Sequence, residues 1–174
     1  LHHPIRLAEE TATLDIISGG RAIFGIGRGP NPRQFQGYGV DLAEGRGRFQ
    51  EALDFILKAW TEEVFTYKGE FYTFPVPGWK ETDPVVKLEP PYYSPDGELI
   101  AINVLPKPYQ KPHPPVWVMV SSNGSYAFCG AKGFGAIGIA RSLEGNREAF
   151  IAYKEAANAQ GRDVALGENV SCQF

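Results

Sequence analysis

Cysteine is scarce in this 174-residue chain, and its two cysteines, Cys129 and Cys172, have neither metal-ligand spacing nor the density of a disulfide scaffold. They read as free thiols of a reducing compartment. Histidine is also rare: His2, His3 and His113 do not make a metal set, and His113 sits in the loop sequence KPHPP. No apolar run approaches the roughly 20 residues that cross a bilayer, and the opening LHHPIRLAEE does not read as a secretory signal. The expectation is a cytoplasmic protein. Basic residues are in slight deficit, 17 against 20 acidic, and dispersed, so no nucleic-acid partner is expected. Two nucleotide signatures are missing as well. There is no phosphate-cradling GxxxxGK[ST], and Gly25, Gly27 and Gly29 fail the GxGxxG fingerprint because Pro30 stands where it needs glycine. What remains is an ordinary globular composition, 43% hydrophobic and 13% aromatic.

The most informative stretch is Arg21 to Phe49, RAIFGIGRGPNPRQFQGYGVDLAEGRGRF. It reads as a short buried strand, a Gly/Pro-rich loop and the start of an amphipathic helix. Arg28 stands where the strand ends and Arg46 where the helix begins. In α/β folds ligands bind where strands hand over to helices, and two cations placed there suit an anion such as a phosphate. Phe49, Ala52, Leu53, Ile56, Leu57 and Trp60 recur at three- and four-residue steps, one face of a helix. Arg46 falls within the angular range of Phe49 and Leu53, so it is expected to point inward. Its alternatives are to snorkel or to pair with Asp41 or Glu44, which also make a candidate N-terminal cap. Arg48 points elsewhere and is expected to be solvated. In the strand, Ile23, Gly25 and Gly27 share one face, and Phe24, Ile26 and Arg28 the other. Two glycines on one face leave room for a flat aromatic cofactor, or serve close helix packing.

Before this stretch, Pro4 followed by Ile5, Ala8, Ala12 and Ile16 predicts a helix that Gly19 and Gly20 stop. After it, the second helix is expected over 43–62. From Val64 to Pro114 the chain is dense in proline and aromatics, with turn signals at Lys68-Gly69 and Asp96-Gly97. So long a helix-free segment is an excursion rather than a connection. It suits a lid or substrate wall, a dimer contact, or inert decoration. Val116 to Val120 (VWVMV) is a buried parallel strand. Ser121, Ser122, Asn123 and Ser125 follow it, before a helix over 126–132. These hydroxyls form a second phosphate-type cluster, or simply cap the helix. Gly135 to Ala140 is a further strand, Ser142 and Glu144 open a helix bearing Phe150, Tyr153 and Ala157 on one face, and Asn169 to Phe174 is the last strand. The order α, β, α, excursion, β, α, β, α, β implies a parallel sheet. Four strands are half of an eight-stranded barrel, and with no initial methionine the expectation is a fragment of a longer protein.

The segments HHPIRLAEETATLDIISGGRAIFGIGRG, FQGYGVD, RGRFQEAL and HPPVWVMVSSNGS resemble the bacterial luciferase-like flavin-dependent monooxygenase family. The resemblance runs across most of the chain and is weakest over Val64 to Lys111. It implies an α/β fold: a partial (β/α)8 TIM-type barrel, roughly the middle half with four parallel strands, residues 1–174 forming the barrel fragment and about 64–114 the insert. It implies reduced FMN, or in some branches the deazaflavin F420, as cofactor. FMN members use dioxygen to oxygenate small organic molecules, commonly as homodimers, with a separate flavin reductase in two-component systems. Arg28 and Arg46 match positions that hold the flavin phosphate in the family. Ser121, Ser122 and Ser125 match its phosphate and ring contacts, although luciferase has an acidic residue where Ser121 stands. Gly27 matches a position that carries a reactive cysteine in luciferase, which argues for an oxygenation other than light emission. The family's catalytic histidine lies in a part of the barrel absent here, so no catalytic base is assigned; His2 and His3 are read as structural. The alternatives are an F420-dependent hydride-transfer enzyme on the same scaffold and a flavin-binding relic without turnover.

Overall fold

A computed structural model of the chain describes residues 2–29, 31–139 and 141–173. Pro30, and the expected strand ends at Ala140 and Phe174, lie outside them. The chain divides into two compact units, Leu1–Ala22 with Gly29–Pro114, and Ile23–Arg28 with Pro115–Phe174.

In the first unit, Pro4 pre-sets the helical φ of the first turn and helix α1 runs Pro4–Ile17. Gly19 (φ +64°) and Gly20 (φ +80°) end it in a conformation that side chains disfavour. Its inward stripe is Pro4, Ala8, Ala12 and Asp15, not the expected Ile5, Ala8, Ala12 and Ile16. The helix is turned by one position because Asp15, fully buried, is satisfied. Its carboxylate accepts from the backbone N–H of Gln110 (2.8 Å) and from Gln110 Nε2 (2.7 Å), which also donates to the Ala22 carbonyl (2.8 Å). Ile16 is left 44% exposed. A short helix, α2 (Pro32–Gly37), follows; it was not foreseen, although its Asn31 cap and Pro32 are ordinary start signals.

The second expected helix starts later than predicted. Leu42–Glu44 is a 3₁₀ turn, capped by Asp41 through Ala43 N, and α3 then runs Gly45–Thr61. Leu53, Phe55, Ile56, Ala59 and Trp60 are buried. The small Ala8 of α1 lets Trp60 come close enough to donate its indole N–H to the Ala8 carbonyl (3.0 Å).

The excursion contains no helix between residues 62 and 114. It returns along α3 as an antiparallel hairpin, β2 (Tyr67–Lys68) with β3 (Thr73–Phe74). Phe55 of α3 sits among the rings of Phe65, Tyr67 and Phe74, 5.0–5.7 Å between centroids. Phe65 bridges Ile102, and Tyr93 bridges Leu99 around the expected Asp96-Gly97 turn. Lys107 Nζ donates to the carbonyls of Ala59 (2.7 Å) and Glu62 (2.6 Å), satisfying acceptors at the end of α3 that no helix bond reaches.

The second unit is a four-stranded parallel sheet, β1 (Phe24–Ile26), β4 (Val116–Val120), β5 (Gly135–Ile139) and β6 (Val170–Gln173), in the order β1-β4-β5-β6. Its helices are α4 (Asn123–Lys132), which begins three residues before the expected start, and α5 (Leu143–Asn158). Phe24, Val116, Val118, Val120 and Ala136 are buried with Tyr126, Cys129, Ala149 and Tyr153 of the helices. Gly130 allows the closest helix approach: a Cβ there would fall on the Tyr153 carbonyl. Gly138 carries the Tyr126 hydroxyl where its own Cβ would stand. On the opposite face, Gly25 aligns with Trp117 and Gly135, and the Trp117 indole lies flat across Gly135.

Candidate cofactor-binding site

Parallel strands end at one edge, so the second unit delivers the residues after β1, β4 and β5 to the same rim. Ile26 pairs with Val118, and Val120 with Gly138. Continuing that register sets Gly27 and Arg28 of the first tip beside Met119, Val120 and Ser121 of the second. Arg28 is exposed, and among the described residues neither its guanidinium nor the Ser121 hydroxyl has a hydrogen-bond partner.

Ser122 caps α4, its hydroxyl oxygen accepting from Ser125 N (3.2 Å), and its Oγ lies 2.9 Å from Ser125 Oγ. The capping alternative is therefore realised. It does not consume the cluster: a hydroxyl has two acceptor lone pairs and a proton that rotates, so one member of the pair can still donate outward. The backbone N–H groups of the first turn add partial positive charge.

The two glycines of β1 differ. A Cβ on Gly25 would touch nothing of its own unit within 4 Å, whereas one on Gly27 would stand 3.2 Å from Met119 Cβ. The bare sheet surface is thus at Gly25, and Gly27 answers to packing against Met119.

Arg46 belongs to the first unit, in the opening turn of α3. It is exposed, not inward: Gly45 takes the buried position, and among the described residues Arg46 has no hydrogen-bond or ion-pair partner. Neither pairing expected for it occurs. Asp41 caps the 3₁₀ turn, and Glu44 accepts from Arg48 Nε (2.7 Å). Arg48, expected in solvent, also lies over the Phe71 ring at 4.6 Å. A guanidinium can stack on a ring as well as pair with a charge, and helical periodicity does not show that the hairpin supplies the ring. His3 is likewise tied to the hairpin, edge-on to Phe74 at 5.5 Å and to Tyr72 at 6.4 Å.

Arg141, after β5, was not foreseen. Its Nη1 donates to Asn123 Oδ1 (2.9 Å) in the first turn of α4. The only sequence signal was its place between a strand and the Ser142 cap. Cys129 is buried in the helix layer, where desolvation pushes its thiol up to about 12, so it stays protonated and unreactive. Among the described residues no group of three or more His, Cys, Asp or Glu is placed to hold a metal ion, and no helix is long and apolar enough to cross a membrane.

The donor set therefore fits a phosphate: guanidinium, hydroxyl and helix N–H groups on one rim, with bare sheet surface at Gly25. The sequence profile of the luciferase-like monooxygenases matches residues 1–173. The oxygenase component of the flavin-dependent trigonelline monooxygenase of Acinetobacter baylyi is 31% identical over 128 residues, 72% of this chain and 28% of that protein. The F420-dependent glucose-6-phosphate dehydrogenase of Kineococcus radiotolerans is 39% identical over 74 residues, 41% of this chain and 22% of that protein. The solved structure of the monooxygenase RslO1 from Streptomyces bottropensis superposes with a TM-score of 0.75 at 26% identity, covering 97% of this chain and 44% of that one. The chain thus spans less than a third of the length of the curated relatives it matches. With four parallel strands in one sheet it is a partial (β/α)8 barrel, and the chain belongs to the luciferase-like monooxygenase family.

Proposed function

We propose that this chain supplies the cofactor-binding part of an FMN-dependent monooxygenase that oxygenates a small organic substrate. The observation that carries this reading is the rim of the second unit, where Arg28 and Ser121 have no hydrogen-bond partner among the described residues and stand beside the Ser122–Ser125 pair. A guanidinium forms two parallel charge-assisted hydrogen bonds to a phosphate, and hydroxyls fill the remaining oxygens. Arg46, exposed in the first unit, is a further candidate for holding an anion. The surface at Gly25 leaves space for a flat ring, and Gly27, matching the cysteine position of luciferase, presents no thiol to it.

Bound reduced flavin supplies the electrons for dioxygen chemistry. The chain's own residues would hold the phosphate tail and line the ring with Met119 and Trp117. The relative named as an oxygenase component supports a two-component system in which a separate reductase delivers the flavin; a cytoplasmic homodimer is part of the same proposal. The second reading, F420-dependent hydride transfer at the same rim, is favoured by the F420-dependent relative; F420 also carries a phosphate, so the rim suits both.

Anaerobic titration of the protein with reduced FMN and with F420, read by fluorescence, decides between them. Tighter binding of reduced FMN, weakened at least about tenfold by Arg28→Ala with Arg46→Ala, is the expected result; tenfold corresponds to about 1.4 kcal/mol, the low end of a charged hydrogen bond. Tighter binding of F420 would replace the oxygenase with the hydride-transfer reading. Unchanged affinity for both cofactors in the double variant would remove the phosphate site.

A further inference from the structure

We infer that Arg141 is an additional cofactor-binding residue, which holds the phosphate-bearing tail from the β5 side of the rim; this rests on the cofactor reading above. Arg141 follows β5 and reaches the opening turn of α4, which carries the hydroxyl pair. Its Nη1 is fixed to Asn123 Oδ1 at 2.9 Å, and Asn123 stands between Ser122 and Ser125 in the opening turn of α4. The guanidinium carbon lies 6.0 Å from the centre of the Tyr126 ring, and the backbone N–H of Arg141 reaches Asn146 Oδ1 at 3.3 Å. The side chain is therefore held on two sides, although it is exposed.

What holds it is neutral. Among the described residues no carboxylate lies within ion-pair distance of Arg141. Glu144, the acid nearest in sequence, is 3.9 Å from Arg147 instead. Of the five N–H donors of a guanidinium, one is used by Asn123, and the described residues offer no acceptor to the others.

For the protein alone this placement is unfavourable. A cation at the positive end of a helix is repelled by the backbone dipole, where an anion would be stabilised. Asn123 spends a hydrogen bond on keeping the charge there. An anion between Arg141 and the Ser122–Ser125 pair reverses the sign of the interaction and uses the free donors. The cofactor's phosphate supplies that charge, with a pair of oxygens that arginine matches bidentately and lysine does not. Arg28 after β1 and Arg141 after β5 then approach one tail from the two strands that flank β4.

The test uses two probe pairs, each with and without the tail phosphate: FMN against riboflavin, and F420 against its unphosphorylated deazaflavin chromophore. Affinities are measured for the wild type, Arg141→Ala, Arg141→Lys, Asn123→Ala and Arg28→Ala, with a thermal melt to confirm folding. The expected result is at least tenfold weaker binding of the phosphorylated member in Arg141→Ala, an unchanged unphosphorylated member, partial recovery in Arg141→Lys, and an intermediate loss in Asn123→Ala, which frees the guanidinium without removing it. Equal weakening of both members would overturn the inference by making Arg141 a support of the fold. An unchanged Arg141→Ala beside a weakened Arg28→Ala would overturn it and leave the cofactor reading standing. Loss of phosphate discrimination in the wild type itself would overturn both.

Discussion

Removing one carboxylate should unfasten the excursion from the helix it runs along. Glu51 of α3 points at the hairpin turn and accepts from three consecutive backbone N–H groups. Glu70 N lies 3.0 Å from Oε2, Phe71 N 3.0 and 3.1 Å from Oε1 and Oε2, and Tyr72 N 2.6 Å from Oε1. Gly69 has no side chain because a Cβ there would fall on that carboxylate. The hydroxyl of Tyr67 donates to the Glu51 carbonyl (3.1 Å), a bond that side-chain truncation leaves in place. A hydrogen bond to a charged group contributes about 1.5–3 kcal/mol when buried. The turn is only half-buried and water can replace the acceptor, so about 1 kcal/mol per donor is the more suitable figure, or roughly 2–4 kcal/mol for the three. That energy fastens the hairpin and not the whole protein, so it should appear as local opening. Hydrogen exchange at the amides of Glu70, Phe71 and Tyr72 in Glu51→Ala should speed up by about 30- to 1,000-fold, at 1.36 kcal/mol per decade. Glu51→Gln should fall between, since its amide presents one acceptor and one donor to three donors. Peptides from α4 and β5 serve as the internal control and should not change. If the three amides of Glu51→Ala exchange within threefold of the wild type, something other than this carboxylate holds the hairpin.

Two further outcomes concern the second unit. Gly138→Ala drives a methyl into the Tyr126 hydroxyl and should lower stability by about 1–3 kcal/mol, as overpacking does; Tyr126→Phe on the same background should restore most of it, and a urea midpoint that the second change fails to move would place the strain elsewhere. Burial raises the Cys129 thiol to about 12 from its ordinary value of 9.0. The folded chain thus keeps a proton that the unfolded chain loses, and this contribution is complete below pH 9 and declines between about 9 and 12. Unfolding curves at pH 8 and pH 10 should show a steeper loss in the wild type than in Cys129→Ala, and parallel losses would remove the thiol as the cause.

Much of this protein is written in local pattern. VWVMV is an uninterrupted apolar run, and such a run has few homes other than a covered parallel strand; it forms β4 from Val116 to Val120. Proline at position 4, the glycines at 19 and 20, and the serines at 122 and 142 mark helix ends because each acts through its own backbone or the next turn. The rim residues Arg28, Ser121, Ser122 and Ser125 were legible for the same reason, since a strand end followed by a helix start places them without reference to anything distant. Partnerships between distant segments were not legible. Periodicity pointed Arg46 inward and left Arg48 in solvent, yet Arg46 is exposed while Arg48 is gathered in by Glu44 and the ring of Phe71. An apolar stripe through Ile16 lost to one through Asp15 because Gln110, 95 residues away, satisfies the carboxylate. Arg141 acquired its meaning only when Asn123, 18 residues earlier, came within 2.9 Å. A charged side chain has no intrinsic side of a helix or strand; its direction is set by where its counterpart arrives, and that is decided by the tertiary fold.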